Sequence, residues 1–344
     1  MAADCLRGAE TAPREPLGGC ATADAHPNIA LIKYWGKRDE QLVLPWTDSL
    51  SLTLDVFPTT TTVQVSPGAR TDVVILNGVP AVGEPQQRVV SFLELVRDMA
   101  GREERAVVNT RNTVPTGAGL ASSASGFAAL AAAAAAAYGL GLDATALSRL
   151  ARRGSGSAAR SVFGGFALWH AGDSDLTSYA EPVPAAGLDP ALVIALLDTG
   201  SKAVTSRAAM RHTVETSPLY RPWADSCGTD LAEMRAALGR GDLNTVGEIA
   251  ERNALGMHAT MLAARPAVRY LAPATLAVLD AVLRLRRDGI AAYATMDAGP
   301  NVKVLCHRQD AQRVAQVVRS IASRPVVVAH CGPGARLRTE AGRT

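Results

Sequence analysis

The stretch from Pro115 to Gly139 constrains this chain more than any other. It begins Pro115-Thr-Gly-Ala-Gly-Leu-Ala-Ser-Ser-Ala124, is almost unbroken alanine from Ala128 to Ala137, and stops at Tyr138-Gly139. Alanine is the strongest helix former and glycine a natural helix stop, so a loop of small residues opening into a helix is expected. Small residues let backbone N–H groups approach an anion. The helix adds the positive end of its dipole, and serine hydroxyls donate to phosphate or ligate Mg²⁺. Taken alone, the residues leave a plain Gly/Ser turn before a helix as the alternative. Two familiar phosphate loops are excluded. A dinucleotide fingerprint needs glycine where this chain has Ser122, and a Walker loop needs Gly-Lys-Ser/Thr, which does not occur. The alanine run is also too short to span a membrane.

With 344 residues, 48% hydrophobic and 19% charged, the chain has the balance of a soluble folded protein of one large domain or two ordinary ones. A net charge of +3 argues against a nucleic-acid or membrane surface. Five cysteines without a C-x-x-C pair suit a reducing compartment, and no apolar run occurs in the first 25 residues, so a cytoplasmic protein is expected. The six histidines lack ligand spacing, which argues against a protein-bound zinc site, and there is no G-x-S-x-G elbow. Of 35 Lys and Arg only four are lysine: Lys33, Lys37, Lys202 and Lys303. Such Arg and Ala usage suggests a GC-rich coding sequence. Against it, a retained lysine marks a place where a compact point charge is wanted.

Along the chain, the first 25 residues read as a mostly disordered tail. Leu50–Val56 alternates like a half-buried strand, and Thr59–Val65 reads as its neighbour across a turn at Pro58. Val73–Leu76 is a strand ending at the turn pair Asn77-Gly78. Gln86–Met99 has a helical apolar face, and Ala106–Val108 is a short strand. Asp143 caps a helix through Arg153 that stops at Gly154, and Gly164–Trp169 returns as a strand. After a Pro/Asp/Ser-rich stretch, Ala191–Leu197 is a buried strand near a domain boundary. Helices are expected over 204–215, 228–239, 242–264 and 273–288. Strand 291–296, turn 297–301, strand 302–306, helix 309–322 and strand 325–329 follow. The whole is α+β in two layered domains.

Three further segments carry chemistry. Gly154-Ser-Gly-Ser-Ala-Ala-Arg160 offers two hydroxyls and a guanidinium fork, either an anion clamp or a solvated turn. Asn28-Ile-Ala-Leu-Ile-Lys-Tyr-Trp-Gly-Lys37 is an apolar strand running into a cationic end, and snorkelling lysines would also explain it. Asp297-Ala-Gly-Pro-Asn301 lies between two strands, where such residues are expected for structural reasons alone.

Taken in order, His26–Arg38, Pro115–Ala124, Gly154–Arg160 with Phe163-Gly-Gly165, and Met296–Asn301 resemble the diphosphomevalonate decarboxylase family of the GHMP superfamily. The likeness runs from about residue 22 to 337. It implies a two-domain GHMP-kinase-type fold: an N-terminal α/β sandwich over 22–190 and a ferredoxin-like α+β domain over 191–337, with tails at 1–21 and 338–344. The implied reaction is ATP-dependent decarboxylation of mevalonate 5-diphosphate to isopentenyl diphosphate. The resemblance places Asp297, Arg160 and Lys33 at the catalytic centre. Tyr34, Lys37, Ser155, Ser157, Ser206 and Arg207 match positions that hold the substrate, with Arg160 on its carboxylate. Asn77, Asn112, Pro115, Gly117, Gly119, Leu120, Ser122, Ser123 and Ala124 fall on the ATP side. Mg²⁺ would be held through ATP phosphates, with Ser122 or Ser123 as the protein donor. The family implies a homodimer. One segment departs from the pattern. Lys202-Ala-Val-Thr-Ser206 lacks the usual Asp after Lys, and Ala209-Met210 stands for Gly-Met, which bears on mono- against diphosphate preference. Lys303, just past the catalytic turn, is explained equally well by a strand-edge role.

Overall fold

The computed structural model describes residues 19–113, 122–197, 204–322 and 324–339; of Ser122 it describes the backbone. The first half runs β1 (Cys20–Ala25), β2 (Asn28–Ile32), β3 (Lys37–Asp39), β4 (Leu44–Pro45), β5 (Ser49–Thr53), β6 (Thr59–Ser66), β7 (Val73–Leu76), β8 (Val79–Pro80), α1 (Glu84–Ala100), β9 (Arg105–Asn112), α2 (Ser122–Ala137), α3 (Ala144–Gly154), α4 (Ala158–Ser161), β10 (Phe166–Trp169) and β11 (Ala180–Pro182). The second half runs β12 (Pro190–Ala195), α5 (Ser206–Thr216), α6 (Tyr220–Arg240), α7 (Leu243–Leu262), α8 (Pro273–Arg287), β13 (Ala292–Met296), β14 (Val302–His307), α9 (Ala311–Arg319), β15 (Val326–His330) and β16 (Arg336–Leu337).

Three sheets organise these elements. The first has the order β16-β1-β6-β9-β7-β8, and α1, α2 and α3 cover one of its faces. Helix α2 lies in that core with its alanines buried except Ala136, which brings helix backbone close to the sheet because no long side chain intervenes. The second sheet is β11-β10-β5-β2 and the third β13-β14-β12-β15. Isoleucines and leucines of the second sheet share one core with α6, α7 and an inner face of the third sheet. Helices α8 and α9 close the outer face. Numbered within the second half alone, the third sheet has the order 4-1-3-2, the ferredoxin-like arrangement expected from the resemblance.

Several readings need correction. Thr59–Ser66 does not pair with Ser49–Thr53. The turn at Pro58 sends β6 into the first sheet between β1 and β9, and β5 pairs with β2 and β10 in the second. Both strands are half-apolar, and alternation alone does not say which sheet receives them. Residues 20–25 belong to β1 rather than to a tail, and Arg338 forms an ion pair with Asp24 at 2.6 Å. Helix α6 starts at Tyr220, not 228, because Pro222 sits in its first turn, where a missing N–H costs nothing. Strand β11 and helix α4 carried no readable signal.

Candidate active site

Lys33 follows directly on β2, a fully buried strand whose register against β5 shifts between Ala30 and Ile32. Such irregularities re-aim the chain, and here the lysine turns into the protein with 1% exposure. Its Nζ donates to Ala30 O and to Asp297 Oδ1, both at 2.8 Å. Its backbone N–H donates to Asn253 Oδ1 at 2.8 Å, and Asn253 is itself oriented by Asp230 through Nδ2 at 2.8 Å.

Asp297 opens the tight connection from β13 to β14. Gly299 N–H donates to its backbone carbonyl at 2.8 Å, and Asn301 Oδ1 accepts from Leu197 N at 2.7 Å, which ties the turn to the end of β12. The carboxylate keeps 26% exposure and receives a second lysine, Lys303 Nζ, on Oδ2 at 3.0 Å. Burial alone would raise the Asp297 pKa. Lys303 and Lys33 overcome that and hold the carboxyl well below the usual range. Burial presses the other way on Lys33 and brings it down to about 8 against the pull of Asp297.

Arg160, on α4, is buried at the same centre. Its Nε and Nη2 donate to Asn28 Oδ1 at 3.4 and 3.3 Å, and Nη1 donates to Ser49 Oγ. Asn28 in turn donates to Ser161 Oγ at 2.8 Å and Ser157 O at 3.0 Å. Among the described residues these bonds leave an N–H on each terminal nitrogen for a ligand. Lys33, Lys303 and Arg160 against one carboxylate make a cationic pocket suited to an anionic substrate.

Tyr34 links this centre to the outer residues. It packs edge-on against Trp169 at 4.8 Å, its burial drives its hydroxyl pKa up, and its surroundings include Glu40, Arg160 and Arg207. Lys37 pairs with Glu40, and Arg207 at the start of α5 lies 3.8 Å from Glu84. Ser206 begins the same helix, whose cap is Thr205. Ser155 Oγ stands 3.1 Å from Ser123 Oγ and 3.5 Å from Ser157 Oγ, a run of hydroxyls joining the start of α2 to the α3–α4 loop. Ala124 is buried beneath it. Asn77 and Asn112 lie together on the first sheet, where Asn77 Oδ1 accepts from Asn112 N at 2.8 Å. Pro115, Gly117, Gly119, Leu120 and the side chain of Ser122 lie outside the described residues, as do Lys202 and Ala203. Ala209 is buried in a cluster with Trp35, Tyr220 and Trp223.

Sequence reading left the role of Lys303 open and missed Asn253, His258 and Arg88. Lys303 is no strand-edge lysine: β14 lies between β13 and β12, and the side chain is 1% exposed. Its scarcity as one of four lysines was the available signal. Asn253 had no signal, since a lone asparagine in a helix is ordinary. His258 is buried beside Lys33 and bonded to the Asp297 backbone, and burial lowers its pKa to about 4, so it is neutral at pH 7. Arg88 of α1 donates to Gly154 O at 3.1 Å and stacks over Phe127 beside the serine run.

No group of three or more His, Cys, Asp or Glu able to hold a metal occurs among the described residues. The Ser123 hydroxyl is a neutral oxygen donor, which fits Mg²⁺ only where phosphate oxygens supply the charge.

Comparison with known proteins points to one family. Residues 25–180 match the diphosphomevalonate decarboxylase-like N-terminal domain, and residues 192–332 the mevalonate 5-diphosphate decarboxylase C-terminal domain. Human diphosphomevalonate decarboxylase is 38% identical over 318 residues, covering 85% of this chain and 78% of the relative. Phosphomevalonate decarboxylase of Haloferax volcanii is 32% identical over 299 residues, covering 87% and 91%. A solved structure of MDDEF in complex with MVAPP, AMPPCP and magnesium is 48% identical, with TM-score 0.89 over 93% of this chain and 98% of that one.

Proposed function

This chain belongs to the diphosphomevalonate decarboxylase family, and on that premise we propose which of its side chains carry the reaction. It converts mevalonate 5-diphosphate and ATP to isopentenyl diphosphate, ADP, phosphate and CO₂, with Mg²⁺ accompanying the nucleotide. The observation that carries the assignment is the convergence of Lys33, Lys303 and Arg160 on the ionised Asp297.

Asp297 accepts the hydrogen bond of the substrate's tertiary hydroxyl and aims its oxygen at the γ-phosphate. A carboxylate so strongly stabilised is a weak base and a tertiary alcohol a weak acid, so alignment contributes more than early proton removal. Arg160 holds the substrate carboxylate through its two remaining N–H groups. Lys33 stands beside the oxygen that receives the phosphoryl group. The carbon–oxygen bond of that intermediate then breaks, phosphate departs, and the electron pair of the bond to CO₂ forms the new double bond. Lys33 and Arg160 stabilise the leaving phosphate. Tyr34, Lys37, Ser155, Ser157, Ser206 and Arg207 hold the diphosphate end. Asn77, Asn112, Ser123 and Ala124 lie on the nucleotide side, with Pro115, Gly117, Gly119, Leu120 and Ser122 assigned there by the motif. Mg²⁺ would be held through the ATP phosphates and neutralise their charge, with Ser122 or Ser123 as the candidate protein donor.

The same reading assigns a cytoplasmic homodimer. Free thiols at Cys20, Cys227, Cys306 and Cys331 support a reducing compartment, and light scattering in solution tests the dimer. For the reaction, ADP and CO₂ are measured together from mevalonate 5-diphosphate, and the expected ratio is one to one. ADP without CO₂ would mean a kinase. A kcat/KM for mevalonate 5-phosphate equal to that for the diphosphate would overturn the diphosphate assignment, a comparison prompted by the Haloferax relative and by Ala203 and Ala209.

A further inference from the structure

Lys303 is the least expected residue at this centre. It is the second residue of β14, paired to Ile194 on one side and Thr295 on the other, so its backbone is fixed by a strand with neighbours on both sides. Its neighbours Val302 and Val304 are buried. A lysine buried in such a place carries a desolvation cost that a hydrophobic residue of similar length avoids, so stability does not explain it. The side chain reaches Asp297 Oδ2 at 3.0 Å, while Lys33 takes Oδ1. The two lysines differ in anchorage. Lys33 follows a strand end and divides its ammonium between Asp297 and Ala30 O. Lys303 rises from the rigid sheet that also carries the Asp297 turn.

We infer that Lys303 is a positioning residue for the decarboxylation, the fixed counter-ion that holds Asp297 in place and ionised while Lys33 turns to the transferred phosphate. Were Lys33 the sole ion-pair partner of Asp297, movement of Lys33 toward phosphate would leave the partly buried carboxylate without a salt bridge. With Lys303 in place, that movement leaves a charge-assisted bond intact. The inference rests on Asp297 being the catalytic carboxylate.

The test uses Lys303→Met, which keeps length and removes charge. The expected result is a kcat about thirtyfold lower, a KM for mevalonate 5-diphosphate within about threefold of the parent, and a thermal midpoint not lowered, because Asp297 keeps Lys33 as a partner. The pH profile supplies a readout that packing would not move. The charged or titratable groups around Lys33 are Asp297 on the β13–β14 turn, Lys303 on β14, Arg160 on α4 and His258 on α7. Removing the like charge of Lys303 lets Lys33 hold its proton longer, so the alkaline limb of kcat moves up by about one pH unit. Lys303→Arg retains the charge and leaves the limb where it is. A Lys303→Met enzyme with parental kcat and an unmoved limb overturns the inference. If that variant does not fold, Lys303→Arg decides: loss of turnover with substrate binding intact overturns the charge role. Asp297→Asn separates this inference from the one beneath it. If Asp297→Asn is active, the site assignment fails; if it is inactive and Lys303→Met is normal, only the role of Lys303 fails.

Discussion

Asp297 and Lys33 perturb each other in opposite senses, and both effects are measurable. Replacing Asp297 by Asn removes the charge that Lys33, Lys303 and Arg160 surround while keeping its shape. Turnover should fall on the order of 10³-fold with nucleotide and substrate binding retained, as judged by calorimetric titration. More than about a tenth of parental kcat would refute the role. For Lys33, burial brings the ammonium down to about 8, so the charged form that faces phosphate is lost as pH rises through that value. The kcat profile should therefore fall on its alkaline side near pH 8. Stability moves the opposite way. Between about 8 and the ordinary 10.5 the folded chain releases the Lys33 proton before the unfolded chain does, so this group makes the fold more stable as pH rises. An activity loss at pH 9 accompanied by a lower unfolding midpoint would contradict this account. The lysines were readable as a group because so few remain among the arginines. What could not be read was that Lys303 sits on a central strand, since sheet order is not encoded in the strand's own residues.

Elements rather than single residues decide how the substrate loop is shaped. Helix α3 ends with its last turn packed so closely that a Cβ on Gly154 would lie 2.0 Å from Phe127 Cδ1, and one on Gly156 would lie 2.7 Å from Trp169 Cη2 and 3.0 Å from Tyr34. The loop carrying Ser155 and Ser157 is thus pressed between α2 and the aromatic pair. Gly156→Ala should push Tyr34 outward and raise KM for mevalonate 5-diphosphate by about tenfold, with a smaller change in the KM for ATP. An unchanged substrate KM in steady-state assays would count against the assignment of this loop. The glycines and serines here were visible as a motif in the chain. Helix α4 was not, because four residues carry no periodicity, and the partner of β6 was not, because a strand apolar on one face fits either sheet. Helices α3, α7 and α8 appeared close to their observed limits, since Asp143, Asp242 and Pro273 mark their starts.

At the scale of the whole molecule, the site belongs to neither half alone. Lys33 and Arg160 come from the first, Asp297, Lys303 and Asn253 from the second, and the distance between them depends on how the halves are held. The shared core of β2, β5 and β10 with α6, α7 and β12 supplies most of that hold. The chain then adds a strap. Leaving β15, it passes Cys331–Gly334 across the end of β5 and adds β16 beside β1. Gly332 N–H donates to Thr53 O at 2.8 Å, and its carbonyl accepts from Gly165 N at 3.0 Å. A Cβ on Gly332 would fall 1.8 Å from Leu54 O, a backbone atom that has no rotamer through which to escape. Gly332→Ala must therefore move the strap away from β5 and break those bonds. The expected cost is about 2–4 kcal/mol, read as a lower urea midpoint with the slope unchanged. Because the strap lies beside the β5–β2 pair that ends at Lys33, kcat should fall as well, while the KM for ATP stays near its parental value. A Gly332→Ala protein with the parental midpoint would show that the strap can shift freely, and that the core alone sets the spacing of Lys33 and Asp297.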